Sequence, residues 1–337
     1  MKKNYTILAF ESSCDDTSVA VIRDGRQVLS CAISSQIDIH TRFGGVVPEI
    51  ASRNHISAID HVTNKALADA GVTLNDIDAI AVTQGAGLVG SLLVSISYAK
   101  ALSFATGIPL MAVNHIEGHI ASNYITHTDL EPEFVCLLVS GGHTALLKVT
   151  DYNEHVLLGT TLDDAVGEAF DKVSRLLGLG YPGGPAVQKM AVGGREDISF
   201  NSRHTDNLGL NFSFSGKKTA VINYLHNLEQ HGDKPNPADV CASFQRWVVD
   251  DLTSKAILAC KQTGLNKLVL AGGVSANAML RTTLDRLAKE NGIKVYYPEL
   301  KYCTDNAAMI GSAGYYLIRD GKPWADNSLS PKPVIDL

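Results

Sequence analysis

Two segments of this 337-residue chain repeat the same order of short apolar runs and polar turns, and this repetition constrains the fold more than any other feature. Apolar runs of four to six residues bounded by turn residues predict buried strands. The runs occupy residues 6–10, 18–22 and 28–33 in the first segment and residues 134–139, 144–149 and 155–158 in the second. The repetition favours a duplicated architecture, although hairpins are common enough to resemble one another by chance.

Helical patterns and further short apolar runs follow each of these segments. Predicted helices cover residues 56–70, 91–106, 163 to about 178, and 237–263, and predicted strands cover residues 79–82, 109–113, 267–271 and 295–297. Such alternation is typical of α/β folds, and the length of the chain favours two domains. We expect the break near residues 128–132, with an N-terminal domain of residues 1–130 and a C-terminal domain of residues 131–337.

The motif Asn114-His115-Ile116-Glu117-Gly118-His119 places two imidazoles on one face of a predicted helix. Side chains four residues apart lie about one helical turn apart, a spacing that suits one divalent ion. For an arbitrary pair, packing of one histidine and solvation of the other would be at least as common as ligation. This pair directly follows a predicted strand, and open α/β sheets bind their ligands at the carboxyl ends of strands. The setting therefore favours a metal site.

A metal site needs a third ligand, and Asp305 is the best candidate. It lies in Cys303-Thr304-Asp305-Asn306, between a predicted strand and an apolar helix. Two histidines and one carboxylate, with positions left open for a substrate, are typical of catalytic rather than structural metal sites.

Glycine-rich turns follow other predicted strands. Ser140-Gly141-Gly142 offers backbone N–H groups without side-chain obstruction, which is how a phosphate is bound, although an ordinary glycine hairpin has the same sequence. Tyr181-Pro182-Gly183-Gly184-Pro185 allows close approach of a ligand to the backbone. Gly272 and Gly273 precede Asn277 at a predicted helix start, an arrangement that suits the phosphates or sugar of a nucleotide.

Composition limits the classes of partner and compartment. The net charge is −6, the pI is about 6.0, and no block of Lys or Arg stands out, so a nucleic-acid partner would require a local patch or helper proteins. The six cysteines form no CxxC pair, which predicts reduced thiols in a cytoplasmic protein. Residues 5–10 are predicted as a first strand rather than a signal peptide, and no apolar run approaches the roughly 20 residues of a membrane helix.

Over nearly its whole length the chain resembles the tRNA threonylcarbamoyladenosine synthesis family, its bacterial TsaD branch in particular, within the actin, hexokinase and heat-shock-ATPase superfamily. The resemblance is carried, in order, by Glu11-Ser12-Ser13-Cys14-Asp15-Asp16-Thr17, Phe43-Gly44-Gly45-Val46-Val47-Pro48-Glu49, His115-Ile116-Glu117-Gly118-His119, Leu138-Val139-Ser140-Gly141-Gly142-His143-Thr144, Gly167-Glu168-Ala169-Phe170-Asp171-Lys172, Tyr181-Pro182-Gly183-Gly184-Pro185, Phe212-Ser213-Phe214-Ser215-Gly216 and Cys303-Thr304-Asp305-Asn306. It implies an α/β fold of two duplicated actin-like ATPase lobes with a nucleotide cleft between them.

The departures from the family pattern are mild. Asp16 stands where the family usually has Glu, Ala86 where Pro is usual, and Asn211 where Asp is common. Leu138 stands where archaeal and eukaryotic relatives have a tyrosine that binds the metal. The resemblance therefore implies three protein ligands, as in the bacterial branch.

The resemblance also implies the activity and the residues that carry it. The enzyme would transfer a threonylcarbamoyl group from threonylcarbamoyl-AMP to the exocyclic amine of the adenosine just 3′ of the anticodon, in tRNAs that read codons starting with A. His115, His119 and Asp305 would bind iron or zinc. The adenylate would be held by Leu138, Val139, Ser140, Gly141, Gly142, Asp171, Gly184 and Asn277. We hypothesise that Asp15 is the general base, and the alternative is that Asp15 only orders its turn.

Besides tRNA, the implied partners are a smaller paralogue (TsaB) and a P-loop ATPase (TsaE), and no membrane. Two other classes of function compete with this prediction. A metal-dependent glycoprotein endopeptidase of the zincin type needs H-E-x-x-H, whereas Ile116 follows His115 here. A non-catalytic actin-like scaffold that binds nucleotide would need no metal chemistry.

Overall fold

The computed structural model describes residues 4–200 and 208–335, which fold into two compact units. Unit 1 contains the described residues of Met1–Pro132, Asp151–Glu154 and Pro298–Leu337, and unit 2 contains those of Glu133–Thr150 and His155–Tyr297. The first boundary, after Pro132, lies inside the expected interval. The last segment differs from the expectation of a C-terminal domain over residues 131–337, because residues from Pro298 onward pack with unit 1.

The described part of the chain contains ten strands and ten α-helices. The strands are β1 (Thr6–Glu11), β2 (Asp16–Arg23), β3 (Gln27–Ser35), β4 (Ala79–Gly85), β5 (Leu110–Asn114), β6 (Phe134–Val139), β7 (Thr144–Asp151), β8 (Glu154–Thr160), β9 (Lys267–Ala271) and β10 (Lys294–Tyr296). The helices are α1 (Ile37–Thr41), α2 (Pro48–Ala70), α3 (Val89–Thr106), α4 (His115–Thr126), α5 (Val166–Leu176), α6 (Gly183–Met190), α7 (Ser215–Gln230), α8 (Pro237–Thr263), α9 (Ala278–Glu290) and α10 (Ala307–Arg319).

The two units have the same sheet topology. The strand order is β3-β2-β1-β4-β5 in unit 1, and the corresponding order β8-β7-β6-β9-β10 describes unit 2. β1 pairs antiparallel with β2 and parallel with β4, and β6 pairs in the same way with β7 and β9. The predicted duplication is therefore confirmed.

Each sheet is covered by apolar helix faces. In unit 1, Leu8 and Ile80 are paired on β1 and β4 and pack in one core with Ile96 of α3. In unit 2, the long helix α8 packs Val248 and Leu252 into a core that includes alternate residues of β6. Burial of these aliphatic side chains is the main favourable free-energy contribution to each unit.

Several helix boundaries differ from the predicted ones for local reasons. α2 begins at Pro48, eight residues before the predicted start, because proline at the first helical position is preorganised for helix. α5 begins at Val166 rather than at Asp163. The Thr144 hydroxyl accepts the Val166 N–H at the start of α5 (2.8 Å), whereas Asp163 interacts with the start of α7. Asp163 accepts hydrogen bonds from the N–H groups of Phe214 and Ser215 at the start of α7 (2.7 and 3.1 Å).

α3 is long and apolar enough to cross a membrane by length and composition alone, a feature that the sequence prediction missed. The residues Ser91, Leu92, Ser95, Ile96 and Ala99 are buried in unit 1, as in the core helix of a globular domain. The outer side of α3 exposes Val89, Leu93 and Phe104.

A candidate metal centre and a set of glycine loops

The first histidine of the motif begins its helix immediately after a strand. The Asn114 carboxamide oxygen accepts the Ile116 N–H at 2.9 Å, which caps α4 and ends β5 at the same residue. His115 and His119 are 6% and 1% exposed, so both imidazoles lie inside unit 1. The predicted placement of the pair, at the carboxyl end of a strand and on one helix face, is confirmed.

Small residues allow α10 to pack closely on α4 and on the sheet. A Cβ at Gly118 would lie 2.8 Å from Ile310 Cδ1, and a Cβ at Gly311 would lie 2.4 Å from Ile22 Cγ2. The Asn306 side chain caps α10 by accepting the Met309 N–H at 3.0 Å. Because α10 sits this close, Asp305 at its N-terminal end reaches the two histidines.

Asp305 contacts both imidazoles with one oxygen. Its Oδ1 lies 3.4 Å from His115 Nε2 and 3.3 Å from His119 Nε2. The three residues each offer one ligand atom, and these three atoms lie within 4.8 Å of one another. Two ligands bound at about 2.05 Å to one tetrahedral ion lie about 3.3 Å apart. The distances from Asp305 to the imidazoles therefore match the edges of a tetrahedral coordination sphere.

His119 supplies an independent indication that a ligand belongs here. Within the described residues neither ring nitrogen makes a hydrogen bond of acceptable geometry, although the residue is buried. Burial, reinforced by the charge of His115, lowers the pKa of His119, so the ring is neutral with a lone pair to donate. A buried imidazole that makes no hydrogen bond is costly unless it binds something, and a metal ion held between His119 and the Asp305 oxygen 3.3 Å away fits that requirement.

The charges around His115 also fit a cation. Burial opposes protonation of His115, but the carboxylates of Asp305 and Glu11 raise its pKa to about 10. Burial opposes ionisation of Asp305 as well, yet the charge and hydrogen bonds of His115 and His119 hold its pKa far below the usual range. The surroundings thus favour one positive charge at this place, which a proton or a divalent ion can supply.

Glu11 is a member of this cluster to which sequence reasoning assigned no role. It is 1% exposed at the end of β1, and its Oε2 lies 3.0 Å from His115 Nδ1 and accepts the Thr83 hydroxyl at 2.7 Å. The signal was available: Glu11, Thr83 and His115 stand at the carboxyl ends of β1, β4 and β5, which are neighbouring parallel strands. A charged residue that ends a buried strand at that edge points toward the site.

The proposed base Asp15 lies half-buried in the turn that joins β1 to β2. Buried His55 orders this turn through contacts of 2.9 Å with the Cys14 carbonyl and 2.7 Å with the Thr17 hydroxyl. The same turn contains Ser13, whose hydroxyl is 3.3 Å from His115 Nδ1. The turn is therefore contiguous with the histidine cluster.

Glu117, between the two histidines, is not placed like the catalytic glutamate of a zincin. Burial raises its pKa to about 7, against the opposing charge of Lys322. Among the described residues, the group able to hold a metal ion is His115, His119 and Asp305, without Glu117.

In unit 2 the predicted nucleotide residues lie on β6 and the turn after it, in α5, and at the starts of α6 and α9. Glycines bring the ends of these elements close together, and we call these glycine-containing ends the glycine loops. A Cβ at Gly167 would lie 2.7 Å from the Ser140 oxygen, one at Gly183 would lie 2.4 Å from Asp171 Cα, and one at Gly272 would lie 2.4 Å from the Val139 oxygen. Only glycine allows these backbones to approach so closely.

Other glycines on the same loops face open space. A Cβ at Gly141, Gly142, Gly184 or Gly273 would meet no atom within 4 Å. The loops thus combine closely packed glycines, which hold the backbones together, with open glycines, which leave room beside backbone N–H groups. That combination suits a phosphate or sugar.

The remaining predicted residues of this set have differing placements. Leu138 and Val139 are completely buried in β6, so their side chains belong to the core of unit 2. Asp171 Oδ1 accepts the Gly183 N–H at 2.6 Å. The Asn277 oxygen caps α9 by accepting the Leu280 N–H, and its amide donates to Gln245 Oε1 at 2.9 Å, which leaves one amide hydrogen for a ligand.

Comparison with known proteins gives one consistent family. The family model "TsaD: tRNA N6-adenosine threonylcarbamoyltransferase" matches residues 27–312. A curated Clostridium perfringens protein named tRNA N6-adenosine threonylcarbamoyltransferase is 56% identical over 332 residues, which cover 98% of each chain. A Clostridium botulinum protein of the same name is 56% identical over 317 residues, covering 94% of this chain and 93% of that protein.

Solved structures with lower identity support the fold alone. Full-length HypF in a phosphate- and nucleotide-bound form aligns with a TM-score of 0.62 and 18% identity over 96% of this chain, which spans about half (48%) of that protein. The activator of 2-hydroxyisocaproyl-CoA dehydratase from Clostridium difficile, with bound ADPNP, aligns with a TM-score of 0.54 and 12% identity over 94% of this chain and 96% of its own length. The chain has the actin-like ATPase fold that the sequence predicted.

Proposed function

The chain belongs to the tRNA N6-adenosine threonylcarbamoyltransferase family and is a tRNA threonylcarbamoyltransferase, and from that premise we propose which residues hold its metal ion, its donor and its proton. The donor is threonylcarbamoyl-AMP, and the acceptor is the exocyclic amine of the adenosine 3′-adjacent to the anticodon in tRNAs that read codons starting with A. The carbon–nitrogen bond to N6 forms as the carbonyl–phosphate bond breaks, which releases AMP.

His115, His119 and Asp305 hold one divalent ion, iron or zinc. The observation that carries this proposal is the single Asp305 oxygen within 3.4 Å of both imidazoles, next to a buried His119 that has no other partner among the described residues. When bound, the ion supplies a positive charge that stabilises negative charge developing on the phosphoryl and carbonyl oxygens. The buried imidazoles of His115 and His119 fix the position of that charge before the substrate binds.

The glycine loops of unit 2 hold the adenylate. Gly141, Gly142 and Gly184 leave open space beside backbone N–H groups, which can receive phosphate or sugar oxygens without reorganisation. Asp171, which accepts the Gly183 N–H, and Asn277, which caps α9, are the candidates to bind the ribose. Leu138 and Val139 contribute only through the position of the strand, because their side chains are buried.

Asp15 accepts the proton that the N6 amine loses during attack. An exocyclic amine of adenine is a poor nucleophile, so a nearby carboxylate accelerates its addition to a carbonyl. The half-buried position of Asp15 in the turn beside Ser13 supports this role. The test is the rate with Asp15→Asn at saturating adenylate: a fall of about 100-fold is expected, and an unchanged rate would require another base.

We propose two protein partners, a TsaB-like paralogue and a TsaE-like P-loop ATPase, and a cytoplasmic location. We place the contact with the paralogue on α3, which exposes Val89, Leu93 and Phe104. Leu93→Glu should prevent co-elution with the paralogue on size exclusion. Co-elution that persists would move the contact to another surface.

Reconstitution tests the function as a whole. The tRNA is incubated with threonine, bicarbonate, ATP and the adenylate-forming enzyme, with and without the two partners, and its nucleosides are analysed by mass. Threonylcarbamoyladenosine that requires this chain is the expected product. If the product forms equally well without the chain, the transferase assignment fails and a scaffold role remains.

A further inference from the structure

We propose that Glu11 is a positioning residue that fixes the tautomer and the orientation of His115, so that Nε2 faces the metal position. This inference rests on the proposed metal site. It concerns a residue outside the ligand set, because Glu11 contacts His115 through Nδ1, on the opposite side of the ring from Asp305.

The hydrogen bonds around Glu11 leave it one role, that of an acceptor. Oε1 accepts the N–H of Ser13, and Oε2 accepts the hydroxyl of Thr83 at 2.7 Å. The same Oε2 lies 3.0 Å from His115 Nδ1. An ionised carboxylate has no proton to donate, so His115 must carry its proton on Nδ1.

That proton position determines what the other nitrogen can do. With Nδ1 protonated, a neutral His115 has its lone pair on Nε2, the atom that lies 3.4 Å from Asp305. A carboxylate on the far nitrogen of a metal-binding histidine also makes the ring a stronger ligand and restricts its rotation. His119 has no such partner on Nδ1 among the described residues, so the two histidines differ.

Replacement of Glu11 by glutamine separates this role from simple packing. The amide has nearly the shape of the carboxylate, but only one of its two heavy atoms accepts. The Ser13 N–H keeps the oxygen on its side, which turns the NH₂ group toward Thr83 and His115. His115 then accepts on Nδ1 and carries its proton on Nε2, where it blocks a metal ion.

The chain offers a matched control in unit 2. Asp239 is a 5% exposed carboxylate that accepts the Arg195 N–H at 2.8 Å and the Arg195 guanidinium at 2.9 Å. Asp239→Asn makes the same chemical change, carboxylate to amide, at a site that contains no proposed ligand. General effects of losing a buried carboxylate therefore appear in both variants, and effects on the ion appear only in Glu11→Gln.

The experiment is zinc affinity by competition with a chelator, together with the visible absorption of the Co²⁺-loaded protein. The wild type is measured first, and a wild type that binds no ion would refute the metal site itself. Given a wild type that binds, Glu11→Gln should bind zinc about 10- to 100-fold more weakly and shift the Co²⁺ bands, while Asp239→Asn matches the wild type. Equal affinity and an unchanged Co²⁺ spectrum in Glu11→Gln would overturn the inference.

A second variant decides the matter if Glu11→Gln does not fold. Thr83→Val removes one hydrogen bond to Glu11 Oε2 but keeps the carboxylate and its contact with His115. Zinc affinity should fall by a few fold, less than the loss for a missing carboxylate. A zinc affinity equal to that of the wild type would show that the hydrogen bond from Thr83 to Glu11 has no effect on metal binding, and would overturn the proposal.

Discussion

The two units place very different chemistry on the same topology. In unit 1 buried ionisable side chains stand at the carboxyl ends of the strands. Glu11 is the last residue of β1, and His115 directly follows β5. In unit 2 the corresponding ends carry glycine turns, with Ser140-Gly141-Gly142 after β6 and Gly272-Gly273 after β9. Unit 1 thus offers side-chain ligands, and unit 2 offers backbone N–H groups. A duplicated sheet supplies two equivalent edges, and the residues that end the strands decide what each edge binds.

The difference predicts that the two sites fail in different ways. A site made of side chains loses its function when one ligand atom is removed. A site made of backbone loses its function when a Cβ is added. Substitutions of each kind should therefore affect the ion or the nucleotide, but not both.

The largest effect is expected for His119→Ala. The variant removes a ligand nitrogen from unit 1, so bound metal should fall below one ion in ten chains and transfer to tRNA should fall at least about 100-fold. Nucleotide affinity should stay within about twofold of the wild type. Metal analysis, nucleoside mass analysis and nucleotide titration measure the three quantities.

Exposed His61 provides the control, because His61→Ala removes an imidazole from the surface of α2. It should change none of the three quantities. A His119→Ala variant that keeps its metal and its activity would end the assignment of unit 1 as the metal unit.

A pair of adjacent glycines tests unit 2 with the next largest effect. Gly184 faces open space, whereas a Cβ at Gly183 would collide with Asp171 Cα. Gly184→Ala should weaken nucleotide binding about 10-fold and leave the urea midpoint unchanged. Gly183→Ala should lower the free energy of unfolding by about 1–3 kcal/mol, because a packed backbone must move. If Gly184→Ala binds nucleotide like the wild type, that loop does not contact the ligand.

The fold was predictable from the sequence because its strands are short, apolar and bounded by turn residues. The apolar run at residues 134–139 became β6 without change, and the predicted helix over residues 237–263 is α8 with the same bounds. The assignment of the last segment to unit 1 was not predictable. It depends on Gly311 and Gly314, which let α10 lie on the first sheet, and helical periodicity does not show which sheet a helix will cover.

The sites were predictable to different degrees for a related reason. The two histidines could be recognised from their spacing and from their position after a strand, and the structure places Asp305 beside them. Glu11 was missed because a lone carboxylate after a strand is also expected of an ordinary turn. Its role depends on Thr83 and His115, which are far away in sequence and meet it only when β1, β4 and β5 pair.

The smallest predicted effect concerns how the stability of the fold depends on pH, which should have opposite signs for one carboxylate in each unit. Burial raises the pKa of Asp16 in unit 1 to about 7, so the folded state binds an extra proton between about pH 4 and 7. The contribution of Asp16 to the free energy of unfolding therefore falls as the pH rises from about 4 to about 7. Asp16→Asn should be more stable than the wild type at pH 7.5, and the difference should vanish near pH 4.

Asp163 in unit 2 has the opposite shift. Burial opposes its ionisation, but hydrogen bonds from Ser213, Phe214 and Ser215 hold its pKa below the usual value. Its contribution to stability is present above the unfolded pKa and is lost as pH falls through the lower folded pKa. Asp163→Asn should therefore be less stable than the wild type at pH 7.5 and approach it in acid. Urea midpoints across pH 3.5–8 give both curves, and slopes of the same sign would contradict this contrast.

The most direct test of the central claim is a single-turnover transfer to tRNA by metal-stripped protein, with purified threonylcarbamoyl-AMP and both partners present. Product is counted before and after one equivalent of ferrous iron or zinc is restored. The account predicts almost no threonylcarbamoyladenosine without the ion, and recovery at one ion per chain in the wild type but not in His119→Ala. Full transfer by protein shown to contain no metal would contradict it.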